Sequence, residues 1–252
     1  MDLQRHATTR VRHEVRRRML TVSSIELLTP RMRRFGFTSP ELHDFVSASH
    51  DDHVKLFFPG TDADGRDICM RDFTPRRFDA SRGTLVIDFA LHETGPATQW
   101  AMSAEIGDTL QIGGPRGSSI VPDDFDWYLL IGDETALPAI GRRVEELRAD
   151  VPVATFVMME AGETQDFQTK ANWTPRWVAR GSSMDDASLL RAALADYALP
   201  AGEGFVWIAA EASVARSLRA HVIDDLGHPK QWTKAAGYWK RGHSDVHEKI
   251  ED

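Results

Sequence analysis

Only one cysteine, Cys69, occurs in the 252 residues, so no internal disulfide can form, and a reducing compartment, the cytoplasm, is the expected location. No apolar run approaches the roughly 20 residues that span a bilayer, so no membrane span is expected. Positive charge is in deficit: 30 Lys and Arg against 38 Asp and Glu give −8, which argues against a general nucleic-acid or membrane-surface role. There is no internal repeat, no low-complexity tract, no GxGxxG, no Walker loop and no Ser-His-Asp elbow. His50, His53 and His92 lack metal-ligand spacing, so no resident metal is expected. A secretory signal is also missing. The basic start (Arg5, Arg10, Arg12, Arg16, Arg17, Arg18) leads into Met19–Leu28, where polar residues are interleaved, rather than into an apolar block. Those arginines read as a solvated arm, or alternatively as a patch that meets an anionic ligand.

What is present divides in two. Residues 1–122 read as β structure, with short strands at Met19–Leu28, Met32–Thr38, His53–Pro59, Cys69–Thr74, Thr84–His92 and Thr109–Gly113. Turn signals separate them, among them Ser39-Pro40, Gly60–Gly65 and Ser81–Gly83. Thr84–His92 alternates, with Leu85, Ile87, Phe89 and Leu91 on one face. Six such strands predict a closed antiparallel barrel. Val121–Asp126 reads as a link, and residues 123–252 then alternate strand and helix. Strands are expected at Trp127–Ile131, Val153–Met159, Trp177–Ala179 and Phe205–Ala210, and helices at Ala136–Leu147, Ala187–Leu199 and Ser213–Leu226. That alternation predicts a parallel sheet with helices on its faces, an α/β domain after the β barrel.

The stretch Arg71-Asp72-Phe73-Thr74-Pro75-Arg76 carries the first chemical signal. On an extended backbone Arg71 and Phe73 share one face until Pro75 interrupts the ladder. The set suits a ligand with an anionic part and a flat aromatic part, such as a flavin nucleotide. Equally, it suits an edge strand with solvated arginines. Gly95-Pro96-Ala97-Thr98 reads as a helix start, with Thr94 or Gly95 at the cap, and its first-turn amides make an anion site or simply an ordinary cap. In the second half, Gly132-Asp133-Glu134-Thr135 and Pro138 follow a strand, as do Glu211 and Ser213. Each is either a place for a dinucleotide pyrophosphate or only a strand-to-helix turn. Arg180, with Ser182 nearby, is placed to take a 2′-phosphate and favours NADPH; Glu160 opposes this, because a carboxylate favours a free ribose and NADH. Between His228 and His243 lie Lys230, Lys234, Lys240 and Arg241 with Trp232, Tyr238 and Trp239, and no acid. That run is a solvated strand with buried aromatics, or a patch for an anionic substrate onto which the acidic tail, Asp245–Asp252, folds back.

The order of these motifs resembles the ferredoxin–NADP reductase superfamily. The stretches RDFTPRRFD (Arg71–Asp79), IDFALHETGPATQWA (Ile87–Ala101), GGPRGS (Gly113–Ser118), YLLIGDETALPAI (Tyr128–Ile140) and AAGYWKRG (Ala235–Gly242) look like the siderophore-interacting proteins, flavin-dependent ferric-siderophore reductases of the vibriobactin-utilisation type. The likeness runs from about Arg17 to Gly242. It implies that Arg71, Phe73 and Thr74 contact FAD, that Asp88, Phe89, Leu91 and His92 line the isoalloxazine, and that Gly95, Ala97 and Thr98 hold its pyrophosphate. Phe73 departs from the tyrosine more usual in that family. The resemblance further implies that Gly132–Pro138, including Asp133 and Thr135, receives NADPH or NADH together with Glu211 and Ser213. Lys240 and Arg241, with Lys234, would face a ferric siderophore. A monomer that reduces ferric siderophores is expected. A flavin oxidoreductase with another acceptor, a flavin-containing siderophore carrier without turnover, and a two-domain protein with no cofactor are the alternatives.

Overall fold

Alternating apolar residues lay the first half of the chain down as strands, and in the computed structural model these are β1 (Thr9–Arg12), β2 (Arg17–Thr29), β3 (Met32–Thr38), β4 (Val54–Pro59), β5 (Ile68–Phe73), β6 (Arg77–Asp79), β7 (Thr84–Ala90), β8 (Thr109–Gly113) and β9 (Gly117–Ile120), with helix α1 (Pro96–Ser103) between β7 and β8. The structure describes residues 6–60, 65, 67–91, 95–181, 184–242 and 248–250. Arg5, His92, Thr94, Ser182, His243 and most of the acidic tail lie outside the described residues. The chain separates into two units, Met1–Pro122 and Asp123–Asp252.

In the first unit seven strands form one antiparallel sheet in the order β5-β4-β8-β2-β3-β7-β6. It is barrel-like, curled around a buried cluster that includes Leu20, Phe35, Phe37, Leu56, Leu85, Ile87 and Phe89. Burial of each such side chain contributes about 1.5–3 kcal/mol. Among the described residues no ladder joins the end strands β5 and β6. The short strand β6 was not expected, because Pro75 and two arginines hide it, yet it pairs with β7 through Arg77, Phe78 and Asp79. The basic start is solvated as expected at Arg10, Arg12, Arg16 and Arg17, which are exposed, but it is ordered as strand and Arg18 is buried. β1 pairs with β9. Arg18 is buried, donating to Asp44 at 2.8 Å and to the carbonyls of Glu41 and Gly114. Arg16 bridges Glu14 and Asp44, and Arg17 lies over the Phe57 ring at 4.7 Å. A buried guanidinium needs such partners to offset its lost hydration.

The second unit holds β10 (Trp127–Asp133), α2 (Leu137–Glu146), β11 (Pro152–Met159), β12 (Asn172–Ala179), α3 (Asp186–Leu194), β13 (Gly204–Glu211), α4 (Ala212–Ala220), β14 (Thr233–Trp239) and β15 (Glu248–Lys249). The sheet order is β12-β11-β10-β13-β14-β15. The first five strands are parallel and β15 is antiparallel. β12 is longer than expected and carries Pro175, which an edge strand tolerates because that strand's outer amides need no partner. β10 and β13 are buried along their whole lengths, as strands covered on both faces must be. The helix expected to end at Leu226 is α4 to Ala220, followed by a π turn, His221–Asp225. The tail does fold back on β14: Glu248 and Lys249 pair with Gly237 and Ala236, and Ile250 donates to the Ala235 carbonyl at 3.2 Å.

Candidate functional sites in the two units

Three segments converge at one end of the first unit's core. The Phe73 ring at the end of β5 lies 4.4 Å from that of Phe89 on β7 and 6.1 Å from Phe58 on β4. Phe73, Leu91, Ala97 and Trp100 are partly buried, each packed on the core cluster. They make an apolar lip that can carry a flat ring. Arg71, half-buried beside it, donates to the Met70 carbonyl at 2.7 Å. Asp72 points to the other face and accepts from Lys55 Nζ at 3.0 Å, and Thr74, past the strand end, is buried. Gly95 caps α1 with φ 136°, a conformation that needs glycine; among the described residues no side chain caps the helix, and a Cβ placed at Gly95 would meet nothing within 4 Å. A helix start without a side-chain cap favours an anion through its dipole. Lip, guanidinium and helix start together fit a flavin nucleotide with its phosphates.

Two residues expected to line the flavin are otherwise engaged. Phe89 is 1% exposed, inside the core. Asp88 is buried and accepts a fork from Arg34 at 2.7 and 2.8 Å, with the buried Arg76 Nε 3.7 Å away. Neither offers its side chain to a ligand. The Arg34–Asp88–Arg76 cluster escaped the sequence reading; the cross-strand register of Arg34 with Asp88 is its signal, and that pairing appears only once β3 and β7 are aligned.

In the second unit the carboxyl ends of the parallel strands form the ligand side of the sheet. There, side chains expected to hold a nucleotide mostly hold one another. Asp133 accepts from Thr135 N at 2.9 Å, Thr135 Oγ1 at 2.5 Å, Trp239 Nε1 at 2.8 Å and Glu211 N at 3.1 Å. Burial and the neighbouring Glu134 raise the Asp133 carboxyl above the usual range, and the Thr135 hydroxyl, the Trp239 indole and the Thr135 amide oppose that rise. The bare Cα of Gly132 serves packing, since a Cβ there would lie 2.6 Å from both the Ala136 Cβ and the Ala209 carbonyl oxygen. Pro138 is buried in the first turn of α2. Glu211 caps α4, accepting from Val214 N at 3.2 Å and from Ser213 N and Oγ, so that helix start already holds an anion. The α2 start has no side-chain cap, which leaves it as the better fit for a pyrophosphate. Arg180 forks onto Glu134 with both distances at 2.9 Å, so its guanidinium is not open to a phosphate as expected.

The basic C-terminal patch is split. Lys234 registers with Trp207 near the start of β14, whereas Lys240 follows its last residue. Six residues of strand put them about 20 Å apart. Lys240 and Arg241 stay at the ligand side, where Trp239 is tied to Asp133 and the Arg241 amide donates to Glu211 at 3.3 Å. Trp232 and Tyr238 pack edge-on against Phe125 and Trp207, each at 5.9 Å, so both are structural.

Two further features are chemically quiet. His13, Ser118 and Asp52 form a hydrogen-bonded chain, but Ser118 Oγ gives its proton to Asp52 at 2.6 Å, so His13 Nε2 must donate and cannot act as base. A cleft of about 410 Å³ lies by the β6–β7 turn, lined by Thr38, His43 and Arg82 among others, at the far end of β7 from Leu91. Among the described residues no His, Cys, Asp or Glu cluster is placed to hold a metal, and no helix is long and apolar enough to cross a membrane.

Comparison with known proteins assigns both units. A family model described as the siderophore-interacting FAD-binding domain matches residues 21–68 and 60–119, and one described as the siderophore-interacting protein matches residues 125–242. The NADPH-dependent ferric-chelate reductase of Escherichia coli K12 is 34% identical over 249 residues, covering 91% of this chain and 95% of that one. The mycobactin import ATP-binding/permease protein IrtA of Mycolicibacterium thermoresistibile is 33% identical over 88% of this chain, which spans only 25% of that longer protein. Among solved structures, a siderophore utilization protein from T. fusca superimposes with a TM-score of 0.86 at 34% identity, covering 95% of this chain and 98% of that one.

Proposed function

This chain belongs to the siderophore-interacting protein family, and we propose that it is an FAD-containing, NAD(P)H-driven reductase of ferric siderophores. One observation supports the reading most: the apolar lip of Phe73, Leu91, Ala97 and Trp100 beside the open helix start at Gly95, within the unit matched by the FAD-binding model. When bound, FAD supplies the conversion of a two-electron hydride donor into single electrons for iron. The chain's own part is to bind and orient. Phe73 presents a ring face, Arg71 a guanidinium for phosphate, and Gly95, Ala97 and Thr98 the start of α1. In the second unit the start of α2, with no side-chain cap among the described residues and beside Glu134 and Thr135, takes the nicotinamide nucleotide. Lys240 and Arg241 attract the anionic substrate against a chain charge of −8. Siderophore oxygens are hard ligands that prefer ferric iron, so reduction loosens the complex. No proton donor or acceptor is required of the protein. We place the reaction in the cytoplasm, carried out by a monomer.

The test is anaerobic. Purified protein should carry flavin absorbance, NAD(P)H should bleach it, and adding an anionic ferric siderophore should restore it with ferrous iron trapped by a chelator. Flavin that bleaches but is not reoxidised by any ferric siderophore would leave an oxidoreductase with a different acceptor.

A further inference from the structure

Three adjacent strands of the second unit end in charge. Glu134 follows β10, Glu160 follows β11 and Arg180 follows β12, while Asp186 opens α3. These four side chains meet. Arg180 Nη1 and Nη2 donate to the two Glu134 oxygens at 2.9 Å each, Nη1 lies 3.6 Å from Glu160 and Nε 3.7 Å from Asp186. The Arg180 amide donates to the Met159 carbonyl at 2.8 Å, so the guanidinium is anchored at this edge by its own backbone. All four are partly exposed, Glu160 most at 34%. Among the described residues, this cluster sets one guanidinium against three carboxylates.

We infer that this Glu134–Arg180 fork, flanked by Glu160 and Asp186, selects NADH by excluding the 2′-phosphate of NADPH. The inference rests on the reading of the second unit as the nicotinamide-nucleotide half. A phosphate needs the same pair of donors that Glu134 occupies. To reach them it must displace a carboxylate that then stays beside it, with two more acids within 4 Å of the same guanidinium. Juxtaposed like charges disfavour binding at an interface. A free ribose meets no such penalty, because its hydroxyls donate to carboxylates. The strand order 3-2-1-4-5 puts Glu160 at the end of the second strand, the position from which an acid binds ribose hydroxyls in dinucleotide folds. Partial burial works against the Arg180 charge, but Glu134, Asp186 and Asp133 outweigh it and hold the group above its ordinary range. Arg180 therefore serves to hold the acids in place and is not left over for an incoming anion.

The test uses the flavin-loaded full chain and two readouts. Calorimetric titration compares adenosine 2′,5′-bisphosphate with 5′-AMP, and stopped-flow flavin reduction compares NADPH with NADH. The wild type should favour AMP and NADH. Glu134→Gln keeps the side-chain shape and should move both ratios toward the phosphorylated partner by roughly tenfold. Adding Arg180→Met should abolish that gain. Glu160→Gln, a more exposed site and a second route should Glu134→Gln fail to fold, should weaken NADH through the lost ribose contact. A wild type that favours NADPH, or a folded Glu134→Gln with unchanged ratios, overturns the selector and leaves the reductase assignment standing. Failure of both adenine probes and both nucleotides would instead remove the nucleotide-binding reading itself, and the selector with it.

Discussion

Asp88→Asn is the substitution with the clearest consequence for the first unit. Asp88 is 3% exposed and carries two short bonds from Arg34, while the Arg76 side chain, 2% exposed, sits 3.7 Å away. An amide at this position cannot hold the charge, and one of its two heads becomes a donor facing donors. Breaking a buried ion pair on one side costs about 3–5 kcal/mol, since the surviving cation keeps its desolvation penalty. Arg34 is a quarter exposed and can recover some hydration, so the lower end, about 3 kcal/mol, is expected. For a unit of this size that corresponds to a fall of roughly 10 °C in the melting transition. The control is Asp88→Leu with Arg34→Met and Arg76→Met, because apolar replacement of a whole buried ion cluster is often close to neutral or stabilising. Urea unfolding of the flavin-free protein reads the stability directly, without flavin contributing by mass action. A loss below about 1 kcal/mol in Asp88→Asn would refute the claim that this carboxylate is a structural hub.

Arg71→Ala should loosen FAD by about 1.5–3 kcal/mol, the worth of a charge-assisted hydrogen bond, measured as flavin retained after dilute dialysis; full retention counts against its phosphate role. Lys240→Ala with Arg241→Ala should raise KM for an anionic ferric siderophore while flavin content and bleaching persist, and wild-type KM should rise with salt as screening grows. An unchanged KM with a salt-insensitive wild type would move the substrate elsewhere. Glu211 offers a pH prediction. Burial pushes its carboxyl up, but Ser213, the Arg241 amide and Val214 outweigh this and hold it below the usual range. A group depressed in the folded state stabilises above its unfolded pKa, about 4.3 for glutamate, and loses that contribution as pH falls through the folded value. Acid titration of second-unit stability should show this decline, and Glu211→Gln should flatten it.

Much of the architecture was legible because it rests on local pattern. Leu85, Ile87 and Phe89 alternate, and β7 follows from them. Gly95-Pro96 announces α1 at its observed start. What stayed hidden needs two strands at once. β1 is exposed along its length, so no alternation marks it, and only pairing with β9 makes it a strand. Arg18 looks like any surface arginine until Asp44 and two carbonyls close around it. The same limit governs the sites. In the first unit the proposed site residues are a ring, a guanidinium and a glycine at the ends of elements, readable one by one. In the second, Asp133, Glu134, Arg180 and Glu211 look like ligands in sequence and turn out to bind one another, a fact set by the order β12-β11-β10-β13.

That contrast has a functional logic. In the proposed flavin site of the first unit, among the described residues, Arg71 donates to the Met70 carbonyl and α1 starts with no side-chain cap, an arrangement suited to a cofactor that must be retained through many turnovers. At the ligand side of the second unit, Glu211 fills one helix start, Glu134 fills the fork of Arg180 and Asp133 gathers four donors. If the second unit takes the nicotinamide nucleotide as proposed, the dinucleotide there meets donors already bound to carboxylates, with the α2 start as its main attraction. Each carboxylate lowers the affinity available to a polyanion, and weak binding speeds release more than it slows arrival. A hydride donor has to leave oxidised before the next can enter, so a site with modest affinity suits a coenzyme used once per cycle. Restoring donors at that edge should therefore tighten the nucleotide, and where its departure limits the cycle it should slow turnover rather than raise it.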